Sequence, residues 1–101
     1  MIKHVVMIKL KDEAEGKSKE EHAVALKGML EDLKEPISQI VHIEAGINLV
    51  PSARSYDICL ISDFHSLDDL NIYRKHPVHQ KVLDYIGVVS DSIVAVDYEY
   101  A

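Results

Sequence analysis

Tyr73, His76 and His79 stand at three-residue intervals within the run Tyr73-Arg74-Lys75-His76-Pro77-Val78-His79. A phenol beside an imidazole can do acid–base work. The imidazole takes up a proton near neutral pH, and the phenol donates a hydrogen bond to an oxygen on which charge develops. Proton abstraction next to a carbonyl suits such a pair, and it asks for no metal and no redox cofactor. Pro77 predicts a helix start, because the N–H it lacks would be unpaired in the first turn anyway. His76 then occupies the cap and His79 the first turn, where the helix dipole and burial both lower an imidazole pKa. A plainer reading stands beside this one: inward histidines are commonly satisfied by backbone carbonyls, and Tyr73 suits a core with its hydroxyl at the rim.

The helix that carries His79 has Val78, Val82, Tyr85, Ile86 and Val89 as its apolar stripe. At about 100° per residue, His79 lies about 20° from Ile86 and about 40° from Leu83, on the core-facing side. Ile86 is therefore a wall residue for anything His79 meets. A short helix opened by Ser66-Leu67-Asp68-Asp69 should precede it and end near Lys75. Ser18-Lys19-Glu20-Glu21 is a capping box opening an earlier helix, which runs to about Glu35 and stops before Pro36. Its stripe is Ala23, Leu26, Met29, Leu30 and Leu33, and His22 falls on the same side, toward the same inter-layer space.

Four strands complete the order. The first, Ile2 to Leu10, contains His4, which could meet His79 across the layer if it points toward the helices. The second runs from about Ile40 to Leu49, with Gly46 marking a bulge or bend. The third, Tyr56 to Phe64, places Ile58 and Leu60 on one face and Cys59 and Ile61 on the other. The last is Ile93 to Tyr100, after a break at Ser90-Asp91-Ser92, and residues 11–17 read as a loop. The pattern β-α-β-β-α-β predicts an α+β, ferredoxin-like domain: one four-stranded antiparallel sheet with helices on one face. Three of the strands are nevertheless apolar on both faces. Val5, Met7, Cys59 and Ile61 therefore make a greasy surface that no helix covers, which predicts a homodimer packed sheet against sheet.

Composition narrows the classes. A chain of 101 residues is one domain's worth, spanning residues 1–101. A formal charge of −6 with no basic cluster speaks against nucleic-acid and anionic-membrane partners. Cys59 is the one cysteine, so no internal disulfide forms and a reducing, cytoplasmic home is expected. The N-terminal apolar run is too short and interrupted for a leader or a span. His76 and His79 are spaced to share an ion, but no Cys or carboxylate set supplies the further ligands a site needs, so no metal is expected. His42 and His65 read as strand and loop residues.

Ile2-Lys3-His4-Val5-Val6 with Lys9-Leu10-Lys11-Asp12, then Tyr73-x-x-His76-Pro77-x-His79 and a closing Val96-Asp97-Tyr98, together resemble the stress-responsive A/B barrel (Dabb) domain along the whole chain. The resemblance implies a homodimer whose two sheets form an α+β barrel with helices outside. It also implies kinship in fold with small cofactor-free monooxygenases. The family includes plant stress-induced proteins and the polyketide cyclase that makes olivetolic acid. In that cyclase a ligand lies between sheet and helices, and a histidine and tyrosine matching His79 and Tyr73 promote aldol ring closure. Its N-terminal pocket histidine matches His4. A further pocket histidine matches Ile58, and His22 stands where the cyclase has a pocket aromatic, so the pocket shape differs. The candidate set is thus His79 and Tyr73 for chemistry, with His4, His22, His76, Ile58 and Ile86 for ligand contact. Two functions follow as expectations. One is the binding of a small hydrophobic or carbonyl-bearing molecule. The other is a cofactor-independent cyclase-like or monooxygenase-like enzyme.

Overall fold

The computed structural model describes residues 1–101. Strand β1 is Ile2–Leu10, followed by the two-residue strands β2 (Glu13–Ala14) and β3 (Lys17–Ser18). Helix α1 is Lys19–Glu31, extended by a 3-10 turn at Asp32–Lys34. Strands β4 (His42–Ile47) and β5 (Ile58–Phe64) follow, then helices α2 (Leu67–Lys75) and α3 (Pro77–Val89), and finally β6 (Ser90–Glu99). The main sheet has four antiparallel strands in the order β4-β5-β1-β6, the ferredoxin-like arrangement the sequence predicts.

Side-chain alternation sets what each face does. Ile2, His4, Ile8 and Leu10 of β1 and Ile58, Leu60, Ser62 and Phe64 of β5 turn inward beneath the helices and are buried. Lys3, Val5 and Met7 turn the other way with Cys59 and Ile61, and are less buried. Register carries the same split into β6: Ile93, Ala95 and Asp97 lie beside Ile8, Val6 and His4, whereas Val94 and Val96 lie beside Met7 and Val5. Residues 91–99 of β6 are all exposed, as on the edge strand of a sheet.

Several boundaries differ from expectation, each for a local reason. Residues 11–17, read as a loop, include the β2–β3 hairpin, whose turn puts Glu15 at φ 53° and Gly16 at φ 75°. Two consecutive left-handed residues match the twist of a tight hairpin, and glycine takes one of them freely. Helix α1 gives way after Glu31 to the tighter turn, where the Asp32 N–H reaches back to Gly28 and Leu30 carbonyls. Met29, placed on the inward stripe, is partly exposed. Gly46 carries no bulge, since β4 stays in register with β5 through the Gly46–Cys59 pair. Ser90-Asp91-Ser92 does end α3, after Val89, but no loop follows: Ser90 caps the helix in extended backbone and β6 starts there rather than at Ile93. The irregularity there is taken up as a register shift opposite Lys9 and Leu10. No helix is long and apolar enough to cross a membrane.

Candidate functional site

The corner between α2 and α3 builds the site. His76 precedes proline and is held in extended backbone, φ −64° and ψ 134°, which ends α2. The same residue opens α3: its Nδ1 accepts from the Val78 N–H at 3.1 Å, and Pro77 follows at the first helical position. Reversing direction within one residue brings the last turn of α2 against the first turn of α3. Tyr73 and His79 thereby stack at 4.2 Å between ring centres, with planes inclined by 41°.

Both side chains are buried. His79 Nδ1 lies 3.1 Å from the Arg74 carbonyl. A carbonyl can only accept, so Nδ1 carries the hydrogen and Nε2 keeps the lone pair in the neutral ring. Burial is the main influence lowering the His79 pKa; the bond to the Arg74 carbonyl opposes it, and the neighbouring His4, Arg74 and His76 add to the lowering. The ring is therefore neutral at pH 7, with Nε2 free of protein partners. Tyr73 is completely buried, and its hydroxyl has no hydrogen-bond partner. Burial pushes its ionisation far above the ordinary phenol range, against a smaller opposing pull from Arg74. It is a donor without an acceptor.

His4 reaches this pair from the sheet. Its ring meets Tyr73 edge-on at 6.0 Å, and its Nδ1 bonds the Asp97 carboxylate on the adjacent strand. Asp97 lies opposite His4 in the β1–β6 register and accepts a second bond from Arg74 Nη2 at 2.5 Å. The Arg74 carbonyl accepts from Gln80 Nε2 at 2.6 Å as well as from His79. One residue thus steadies both histidines, His79 through its backbone and His4 through Asp97.

Tyr73, His79, His4, Arg74 and Gln80 line one end of a cavity of about 390 Å³ between sheet and helices. Val6, Ile8 and Leu60 form its floor, Ile93 and Ala95 its β6 side, and Leu30, Leu83 and Ile86 its helical wall. Apolar walls with a few converging polar groups are the usual make-up of a small-molecule site.

Of the residues picked from the sequence, His79, Tyr73, His4 and Ile86 line this cavity. His22, Ile58 and His76 do not. His22 is buried on α1 but turns toward the β2–β3 hairpin: Nδ1 meets the Tyr85 hydroxyl at 2.5 Å and Nε2 the Ala14 carbonyl at 2.7 Å. With Nε2–H donating to the carbonyl and Tyr85 donating to Nδ1, the ring pins the hairpin to the helices and has no valence left for a ligand. Ile58 is packed in the core, and Leu60, two residues further along β5, takes the place expected of it. His76 turns its Nδ1 to the cap and lies outside the cavity. Arg74, Asp97 and Gln80 are the polar residues that sequence reading left without a role. The signal for Asp97 was the β1–β6 pairing, which joins residues 93 positions apart.

The model of the family described as Stress responsive A/B Barrel Domain matches residues 2–100. A stress-response A/B barrel domain-containing protein of Arabidopsis thaliana is 28% identical over 102 residues, covering 97% of this chain and 36% of that protein. The chain spans less than half the length of the curated relatives it matches. Among solved structures, a dimeric protein of unknown function with a ferredoxin-like fold from Bacteroides fragilis is 34% identical, with TM-score 0.87 over 98% of this chain and 95% of that one. A hydroxynitrile lyase from Passiflora edulis shares the fold at TM-score 0.73 and 19% identity, over 96% of this chain and 90% of the lyase.

Proposed function

Since the chain belongs to the stress-responsive A/B barrel domain family, we propose that it acts as a homodimer, each copy of which binds a small, mostly apolar, oxygen-bearing molecule between sheet and helices. The observation that carries this reading is an apolar cavity lined by Tyr73 and His79, whose rings stack at 4.2 Å and whose buried Tyr73 hydroxyl has no protein partner. Leaving a buried donor unsatisfied costs about 1–3 kcal/mol, a cost a ligand oxygen removes. His79 Nε2 offers the complementary acceptor, so a carbonyl or hydroxyl group is the natural occupant. The partner copy covers the apolar sheet face, in keeping with the dimeric description of the Bacteroides fragilis relative.

A titration with acetophenone, a small aromatic ketone, followed by NMR tests the reading. The His79 ring and Tyr73 resonances should move together, and Tyr73→Phe should weaken binding by about fivefold to tenfold, as for one hydrogen bond. Shifts confined to other surfaces would end the case for this cavity.

The fixed tautomer of His79 favours a second reading, catalysis without a cofactor. Nε2 takes a proton from the carbon next to a bound carbonyl, the C–H electron pair moves into the enolate, and Tyr73 donates its hydrogen bond to the enolate oxygen. Exchange of the acetophenone methyl protons for deuterium in heavy water measures that step directly. A rate equal to the protein-free blank leaves the binding reading alone.

A further inference from the structure

The rim of the cavity holds a full positive charge that the fold uses only in part. Arg74 lines the cavity, its side chain is 46% exposed, and its one side-chain hydrogen bond is the Nη2 contact to Asp97. A guanidinium has five N–H donors in a planar fork, so most of this one is left without a protein partner. The neighbouring polar groups are already engaged. Asp97 is shared between Arg74 and His4, and the Gln80 amide is bonded to the Arg74 carbonyl.

Polarity also falls away from this rim in one direction. Along β1 the lining passes from His4 through Val6 to Ile8, while β6 contributes only Ala95 and Ile93, beside Val6 and Ile8. Four residues of strand span about 13 Å. The cavity is therefore polar and cationic at one end and apolar at the other.

We infer that the ligand is an amphiphilic carboxylic acid. Its carboxylate sits on the free edge of Arg74, a hydroxyl or carbonyl oxygen lies within reach of Tyr73 and His79, and its apolar body runs toward Ile8 and Ile93. This rests on the ligand-binding reading above and adds the class of molecule. A neutral ligand of the same shape leaves the guanidinium fork to water, whereas a carboxylate matches it with two parallel charge-assisted bonds. Asp97 is the built-in competitor for that fork. Its charge is offset by Arg74 and by the bond from His4, so it lowers the acid's affinity without abolishing it.

The test compares 3-hydroxyoctanoate with its methyl ester, titrated into the intact chain by calorimetry and by NMR of the histidine rings and the Arg74 Nε–H. The acid should bind at least about tenfold more tightly than the ester, as expected for hydrogen bonds to a charged group. Arg74→Gln should collapse that ratio toward one, Arg74→Lys should leave it intermediate because the charge stays but the fork is lost, and Asp97→Asn should raise it. The opposite signs at Arg74 and Asp97 keep the test decisive even if one variant folds poorly. Equal binding of acid and ester, with the His79 ring shifting for both, overturns the acid preference and leaves the cavity reading intact. If neither compound moves His79 or Tyr73 at millimolar concentration, both readings fall.

Discussion

At the corner of two helices one proline decides where two side chains point. Pro77 holds His76 extended, and that single reversal puts the Tyr73 phenol on the His79 imidazole. The consequences are measurable residue by residue. Burial lowers the His79 pKa below the unfolded value of about 6.5. Between those two values the unfolded chain holds a proton that the folded chain does not, so stability rises with pH across the window. Urea unfolding should therefore show stability unaffected by His79 above about pH 6.5 and declining as pH falls below it, a slope that His79→Gln reduces. An NMR titration placing the His79 pKa above about 6.5 contradicts both the sign and its role as a neutral acceptor. Tyr73→Phe separates stability from function. Removing an unpaired buried hydroxyl should stabilise the empty protein by about 1 kcal/mol while weakening ligand binding. A marked loss of stability would mean that the hydroxyl already has a partner. The spacing that pairs Tyr73 with His79 is local and could be read from the chain. The Arg74–Asp97–His4 chain could not, because it depends on which strand lies beside β1.

Elements tell a similar story about what short-range pattern can carry. Ser18 and Ser66 were legible as caps, since a hydroxyl three residues before an acid is a local signal, and both accept from the expected N–H groups. The β2–β3 hairpin was not legible, because two-residue strands are too short to show alternation. Its one trace was Gly16 beside Glu15, a pair able to take positive φ. This hairpin matters to the helices, as its Ala14 carbonyl receives His22 Nε2. Gly16→Ala should cost about 1 kcal/mol, because alanine resists the left-handed region and open space around the glycine removes any steric explanation. A thermal melt that leaves the midpoint unchanged would show that the turn relaxes freely. The Ser90–Ser92 segment ends α3 as its residue types suggest, but the strand begins at Ser90 rather than Ile93. Small polar residues usually end a helix in a loop, but here the outer strand needs a partner for Leu10 and recruits Ser90 directly.

At the scale of the whole molecule the question is what covers the bare side of the sheet. Val94, Val96 and Tyr98 of β6 are exposed there at 40%, 62% and 48%, continuous through the register with Val5 and Met7 and then with Ile61 and Cys59. A contiguous apolar face of this kind on a small chain marks an interface. Its polar end is prepared for burial as well. Asp63 accepts from the Tyr100 hydroxyl at 2.6 Å and meets the Lys3 ammonium at 3.1 Å, so a second sheet laid over it strands no lone charge. The Cys59 thiol, half-buried on the same face, is pushed up in pKa by burial, with Glu44 as the smaller cause, and so stays an uncharged packing group. This surface was readable in advance because strands apolar at both parities, with helices on one face only, leave a greasy face uncovered, although the same pattern does not fix which way His4 points. Ile61→Lys puts a charge at its centre, on a strand flanked by β1 and β4. Losing a central interface contact costs about 2 kcal/mol or more, roughly 30-fold in dissociation constant. Light scattering should accordingly show the wild-type chain at twice its monomer mass and Ile61→Lys shifted toward the monomer. Val5→Lys, on the adjoining strand, should do the same. If both variants keep the wild-type mass, the partner lies on some other surface, and the sheet face needs a different explanation for its grease.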